Sequence, residues 1–264
     1  MSYESYAEWK SWTEENFGRP DRGEIAFYEK ELGTRLTGTT SAQKSVLEIG
    51  FGNGPFLGWA LAKNWHVYGC EVQETLRARA EKAGVSIVAG PGDLAPRSLD
   101  AVVAFDVFEH IEYRALVDLC RAILVALKPG GVLVARFPNG DSPFGMILQH
   151  GDPTHLTVLG MGVVKELMLS SGFSRFQLRA PAETPFGIQD AVKLKIKVLL
   201  RSAYSSFVRI AFLGQAPPPT FTVNYLLVAQ KPNGEDLADT EAGTVPDAEA
   251  LAVGTVLGRD GVTP

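Results

Sequence analysis

The chain has 264 residues, enough for one large domain with an insertion, and at that length it can bury roughly 70–75% of its unfolded surface without disulfide staples. Apolar residues make up 45% and charged residues 21%, the proportions of a globular protein, and no uncharged apolar run reaches the ~20 residues of a membrane span. The net charge is −5, but residues 233–264 carry seven acids and one base, so the rest of the chain is close to neutral and the acidity implies no particular partner. The two cysteines, Cys70 and Cys120, form no CxxC pair, which speaks against a zinc cluster or redox pair and for buried, reduced thiols. Met1-Ser2-Tyr3-Glu4-Ser5 lacks the basic and apolar regions of a signal peptide, so a cytoplasmic location is expected.

Residues 1–35 read as amphipathic and helical, with Trp9, Trp12, Phe17, Phe27 and Tyr28 as apolar anchors and Gly33 as a stop. With the polar linker at 37–41 they make an N-terminal cap over 1–40. A main domain over 41–231 follows. Strands are expected at 45–49, 66–71, 85–89, 101–105 and 132–137, and helices at 55–62, 74–83 and 113–127. Lys128-Pro129-Gly130-Gly131 reads as a helix stop and turn. Residues 138–156 read as a Gly/Pro/Asp/His-rich loop, 161–170 as a helix and 175–179 as a strand. An insertion at 181–219 precedes a last strand at 221–229. From residue 232 the composition, acidic and without aromatics, predicts a disordered tail. Short apolar strands alternating with helices imply βαβ units: an α/β, doubly wound, mostly parallel sheet buried on both faces.

The most informative segment is Val46-Leu47-Glu48-Ile49-Gly50-Phe51-Gly52-Asn53-Gly54, a strand running into a glycine-rich turn and then a helix. Glycines there let the backbone turn sharply and touch a ligand, with a helix N-terminus behind it. A dinucleotide fingerprint would be GxGxxG, but its third glycine is Pro55 here, and no GK[ST] follows to make a phosphate loop. The second strand ends at Glu71, followed by Val72, where a carboxylate can accept from both hydroxyls of a ribose. Gly92-Asp93-Leu94 follows the third strand, where Asp93 can accept an exocyclic amine and Leu94 can pack on a ring. The fourth strand ends in Phe105-Asp106-Val107-Phe108-Glu109-His110. Ligands of open α/β sheets bind outside the carboxyl ends of strands, so these segments converge on one crevice.

VLEIGFGNG, Glu71, GDL, DAVVAFDVFEHI and LKPGGVLVARFPN, in that order, resemble the class I S-adenosylmethionine-dependent methyltransferases over about residues 44–178. The resemblance implies a seven-stranded Rossmann-like methyltransferase fold and S-adenosylmethionine as cofactor. It implies that Gly50, Gly52 and Gly54, with Phe51 and Asn53 between them, line the methionine and ribose. It gives Glu71 the ribose, Asp93 and Leu94 the adenine, and the backbone near Phe105 the methionine amino group. Glu48 matches the acid usual in the first strand. The FEHI segment at 108–111, and Asp152-Pro153-Thr154-His155 ahead of a helix, are similar to the branch of ubiquinone-pathway and polysaccharide or sugar O-methyltransferases. That branch implies an acceptor hydroxyl on a sugar, glycan or related small natural product, lipid-linked forms included.

An oxygen acceptor gains from a general base, typically ~10²–10⁴-fold. His155 is the favoured base, with Asp152 orienting it or binding substrate; the alternative is that Asp152–His155 only satisfies backbone groups at the start of a helix. His110 is a further candidate, or structural; His66, at the start of a strand, is structural. His150-x-Asp152-x-x-His155 has the residue types of a metal triad, but no metal is expected. The insertion carries Lys193, Lys195, Lys197, Arg201 and Arg209, with an apolar stripe at helical spacing and no acid between 191 and 213. It reads either as a lid helix with a solvated basic face or as a peripheral contact, through 193–213, with an anionic membrane face. Nucleic acid is not an expected partner, since aromatics do not interleave the basic run. Two rivals to methyl transfer stand: a scaffold that keeps the fold without turnover, and a nicotinamide-dependent oxidoreductase, against which Pro55 argues.

Overall fold

The computed structural model describes residues 13–36, 43–214 and 220–233. Its single sheet has seven strands: β1 Ser45–Ile49, β2 His66–Cys70, β3 Ser86–Ile87, β4 Leu99–Phe105, β5 Leu127–Pro138, β6 Arg175–Arg179 and β7 Asn224–Gln230. Their spatial order is β3-β2-β1-β4-β5-β7-β6. Only β7 runs antiparallel to its neighbours β5 and β6. The helices are α1 Arg22–Tyr28, α2 Pro55–Ala62, α3 Glu74–Lys82, α4 Tyr113–Ala126, α5 Pro143–Gly151, α6 Met161–Ser170 and α7 Ile188–Val208. The doubly wound, mostly parallel sheet expected from the sequence is the one observed.

Alternation along β1 explains the two layers. Leu47 and Ile49 pack on one side with Leu116, Cys120 and Ile123 of α4 and Val164 and Leu167 of α6. Val46 packs on the other with Phe27 and Tyr28 of α1 and Phe56 and Trp59 of α2. A strand covered on both faces has no use for polar side chains, so the buried Glu48 in β1 needs a separate reason. The chain winds from β1 outward through β2 and β3, then returns to place β4 on the other side of β1. That reversal opens a crevice at the carboxyl ends of β1 and β4.

The described part of the N-terminal cap starts at Thr13, so Trp9 and Trp12 lie outside the described residues. Among the described residues helix begins at Arg22, where Asp21 and Glu24 cap each other: the Glu24 N–H donates to Asp21 Oδ1 at 2.8 Å and the Asp21 N–H to Glu24 Oε2 at 2.7 Å. It continues through a π-helical turn, Glu29–Gly33, and a final turn, Thr34–Leu36. Ahead of it, the Gly18 N–H donates to the Asn53 carbonyl at 2.8 Å and pins the segment onto the glycine turn.

The loop expected at 138–156 contains α5. Ser142 accepts from the Phe144 N–H and Pro143 fills the first helical position, a start signal hidden among turn-forming residues. The turn at 128–131 lies within β5 rather than before it: Gly130 and Gly131 exchange backbone hydrogen bonds with Lys231, and the register with β4 slips between Leu99 and Ala101. β2 ends at Cys70, one residue earlier than read, β3 is only two residues, and β7 starts at Asn224. Cys120 is buried as expected, whereas Cys70 is half-buried. The insertion is one long helix, α7, continued by a π-helical turn, Arg209–Leu213. The acidic tail from residue 234 lies outside the described residues. No helix among the described residues is long and apolar enough to cross a membrane.

One contact fixes the N-terminal segment over α2. A Cβ on Gly58 would stand 1.8 Å from the Gly18 carbonyl oxygen, a backbone atom that cannot yield without moving the segment. Gly58→Ala should therefore lower stability by about 1–3 kcal/mol in urea unfolding, despite the better helix propensity of alanine. Stability equal to the parent would contradict this packing.

Candidate functional site

The turn after β1 is built from backbone. Gly50, Gly52 and Gly54 have φ of 64°, 50° and 70°. At Gly50 a side chain is doubly excluded, because its Cβ would also stand 2.6 Å from Val107 Cγ2. Phe51 is buried with its ring against Gly69 of β2, where a Cβ would meet the ring at 2.8 Å. Glu71 ties the turn down from the end of β2. Its Oε2 accepts from the Gly52 N–H at 3.1 Å, and its Oε1 from the N–H groups of Val72 and Gln73 at 2.7 and 3.1 Å. A charged carboxylate is thereby held at the lip of the glycine turn by neutral donors that a ligand's hydroxyls can replace.

Beside this turn lies a cleft of about 340 Å³. Its floor is Glu48, Gly50, Gly52 and Asn53, and Phe105 and Arg136 form one wall. Asn16, Arg19, Glu24 and Tyr28 of the N-terminal segment complete its lining. Two acceptors here are orphaned among the described residues: Glu48 Oε2 and Asn53 Oδ1. Burial pushes the Glu48 carboxyl well above the usual carboxylate range; a hydrogen bond from the Leu57 backbone opposes the shift and the Glu71 charge adds to it. Buried acceptors without donors are costly, and a ligand bringing an ammonium or hydroxyl donor relieves that cost. Tyr28 stacks on Phe105 at 5.7 Å, and burial raises its hydroxyl far above the ordinary tyrosine value. Asp106, at φ 58°, closes the wall by pairing with Arg136, whose Nε lies 3.1 Å from Asp106 Oδ1.

A second cluster forms where the segment after β4 meets the segment after α5. Thr154 is its hub. The Thr154 hydroxyl donates to Asp152 Oδ1 at 2.6 Å, and its oxygen lies 2.9 Å from His110 Nδ1. With the hydroxyl proton committed to Asp152, His110 must donate through Nδ1–H, which makes Nε2 its basic nitrogen. His155 Nδ1 faces the Gln149 carbonyl at 3.2 Å. Its Nε2 stands 4.0 Å from Glu109 Oε1 and 3.9 Å from Asp152 Oδ2, and its ring meets that of His110 edge-on at 4.5 Å. The Asp152 carboxyl is desolvated, yet the two Thr154 hydrogen bonds and the nearby histidines hold it below the usual range. Glu109, His110 and His155 place ligand-capable atoms within 4.8 Å of one another, the grouping among the described residues that could hold a cation. His150, from the triad spacing seen in the sequence, is exposed and outside that group.

The structure thus gathers Glu48, Gly50, Phe51, Gly52, Asn53 and Phe105 on one cleft; Gly54, the cap residue of α2, and Glu71, which accepts from the Gly52 N–H, adjoin these residues without lining it. Asp93 and Leu94 do not line that cleft. Asp93 Oδ2 accepts from the Ala89 N–H at 2.8 Å, Leu94 is half-buried against the core, and Val72 is exposed. His110, Asp152 and His155 come together, but Asp152 reaches His110 through Thr154, and the His155 side chain is only 8% exposed. Sequence reasoning missed Arg19, Tyr28, Asp106, Arg136 and Thr154. For Asp106 the position at a strand end was a usable signal. For Arg19 and Tyr28 there was none, because their place depends on how the N-terminal segment docks.

Residues 47–135 match the family model described as "Methyltransferase domain". No curated protein matches the chain in sequence. Among solved structures, an S-adenosylmethionine-dependent methyltransferase from Archaeoglobus fulgidus shares the fold with a TM-score of 0.55 at 20% identity, over 80% of this chain and 96% of that one. A chain from the Haloferax volcanii complex of the Trm112 methyltransferase activator with a methyltransferase gives 0.53 at 14% identity, over 88% and 96%. The matched stretch runs from β1 into β5 and contains the glycine turn, Glu71 and Phe105, while Arg136 and the N-terminal residues that line the cleft lie outside it.

Glu109 gives this region a pH signature. Burial and the neighbouring Asp106 charge push its carboxyl from 4.5 up to about 8. The folded state then binds this proton more tightly than the unfolded state, so its contribution is complete below pH 4.5 and is lost as pH rises towards about 8. Melting temperature should fall across that window. Glu109→Gln, neutral throughout, should flatten the fall, although Glu48 keeps part of it. An unchanged slope would contradict this placement of Glu109.

Proposed function

We propose that this chain, which carries a methyltransferase domain with S-adenosylmethionine as its cofactor, methylates a hydroxyl of a sugar, glycan or related small natural product. The observation that carries the oxygen acceptor is the Asp152–Thr154–His110 relay, which orients an imidazole backed by a carboxylate on the segment that follows Phe105 and Asp106 of the cleft. A nitrogen or carbon nucleophile has less need of such a base.

The cofactor supplies an activated methyl group with its leaving group attached, so the protein's work is alignment and proton removal. Glu71 would accept the ribose hydroxyls in place of the Gly52 and Val72 N–H groups. Glu48 would receive the methionine ammonium, directly or through a water, and a cation there would return its carboxyl to the charged form. Arg19 would face the methionine carboxylate from the N-terminal segment. Asp93 and Leu94 would hold the adenine beyond Glu71. Phe51 would act indirectly, by pressing the glycine turn onto β2. His110 Nε2 would accept the proton of the acceptor hydroxyl, with Thr154 and Asp152 stabilising the imidazolium. His155, the base favoured from sequence, would then buttress the His110 ring.

His110→Ala should lower turnover on a hydroxyl acceptor by about 10²–10⁴-fold, with S-adenosylmethionine affinity nearly unchanged. Asp152→Asn should shift the pH–rate profile, because the relay then lacks its negative end. Turnover, followed as release of S-adenosylhomocysteine, that is indifferent to His110→Ala would overturn the base assignment. Acceptors methylated only at nitrogen or carbon would overturn the hydroxyl reading.

A further inference from the structure

The helix α7 is 21 residues long, and none of them is buried. At 100° per residue, Ile188, Val192, Ile196, Leu199, Ala203 and Phe207 fall within an arc of about 100°. All are exposed: Ile188 is 86%, Leu199 69% and Phe207 58% accessible. The opposite side, through Leu194, Arg201 and Ser205, is half-buried and faces the body. Lys197 and Arg201 bind Glu183, and the Tyr204 ring meets Phe221 at 4.7 Å and Phe144 at 6.4 Å. The helix is therefore fixed by one side with its apolar side turned outward. Beyond the helix the exposed Phe212 ring meets that of Phe207 at 6.2 Å, and Ile210 is exposed as well.

Charge selects the occupant. Lys193 and Lys195 flank the apolar arc on its two edges, and Arg209 follows at the end of the helix. None of the three makes an ion pair among the described residues, and residues 191–213 contain no acid. A second copy of the same face would set these cations against their own kind. A soluble polyanion would leave the apolar arc in water. An anionic bilayer satisfies both at once, with phosphates at the lysines and acyl chains under the arc. The topology also suits it. The insertion joins the carboxyl end of β6 to the start of β7, and β6 runs parallel to β5 because both are antiparallel to β7. The helix thus sits at the end of the sheet that carries the cleft, and Arg22 of α1 stacks on Phe186 just ahead of it at 4.4 Å.

We propose that α7 and the turn that follows it form a membrane-docking surface that lies flat in the interface of an anionic lipid bilayer. The docking does not depend on which acceptor the cleft takes.

The test is flotation of the full chain with vesicles of phosphatidylcholine alone and of phosphatidylcholine with about one-third phosphatidylglycerol. The parent should float with the anionic vesicles, weakly with the neutral ones, and less as salt is added. Lys193→Gln with Lys195→Gln should cut partition onto anionic vesicles by about 25-fold, near five-fold for each cation lost. Ile196→Glu with Leu199→Glu should abolish it, with the melting temperature retained as the sign of an intact fold. No flotation with either vesicle, or equal flotation of the parent and both variants, would overturn the proposal. So would a parent dimer in light scattering that Ile196→Glu with Leu199→Glu converts to monomer without vesicle binding, since the occupant would then be a second copy. The acidic segment at 234–264 is the other competitor. A parent chain that ignores anionic vesicles until that segment is removed would assign the surface to it instead.

Discussion

The backbone reversal at the end of β1 is the constraint on which the rest of the site depends. A chain leaving a fully buried strand must turn within a few residues into α2, and it does so with three left-handed residues in the space of five. Its three glycines offer no side chain to hold it, so contacts with neighbouring segments fix it. Phe51 reaches across to Gly69, Glu71 accepts from the Gly52 N–H, and Gly18 donates to the Asn53 carbonyl. The contacts come from the end of β2 and from the N-terminal segment. The result is a rigid concave backbone surface beside the N-terminus of a helix, an arrangement suited to close approach of a ligand rather than to packing.

Polar groups buried around that surface are under-satisfied, and the pattern follows function. Glu48 occupies a strand position where an aliphatic residue would stabilise the core, and one of its oxygens is orphaned among the described residues. Glu109 has the same character in the second cluster. Both are pushed towards the neutral form by burial. Elsewhere a buried charge is paired: Asp100, at the opposite end of β4, binds Lys128 at 2.6 Å and lies 3.6 Å from Lys44. Buried carboxylates are thus left short of donors beside the cleft and the second cluster, while the carboxylate at the far end of β4 is paired, as expected where a binding site keeps acceptors unspent.

Much of this was legible in the sequence, for identifiable reasons. Apolar runs bounded by glycines gave β1 and α2 their limits, and the 3.6-residue period gave α4. The glycine turn and Glu71 were legible because a close backbone approach leaves a composition that packing alone does not require. α5 was not legible, because Ser-Pro-Phe-Gly reads as a turn unless the serine is recognised as a cap. Nor was the relay, in which Thr154 joins His110 across 44 residues of chain. The same limit hid Arg19 and Tyr28, which meet the cleft only because glycine at position 58 lets the Gly18 backbone lie against α2.

The central claim is that the cleft beside the glycine turn takes S-adenosylmethionine with Glu71 at the ribose. Calorimetric titration of the parent chain and of Glu71→Ala with S-adenosylmethionine and S-adenosylhomocysteine, with NADH as the control, tests it most directly. Both sulfur ligands should bind the parent and NADH should not, and Glu71→Ala should weaken binding by roughly 1.5–3 kcal/mol, the loss of charge-assisted hydrogen bonds. Equal affinity in the variant would remove Glu71 from the site, and binding of NADH in place of the sulfur ligands would contradict the account as a whole.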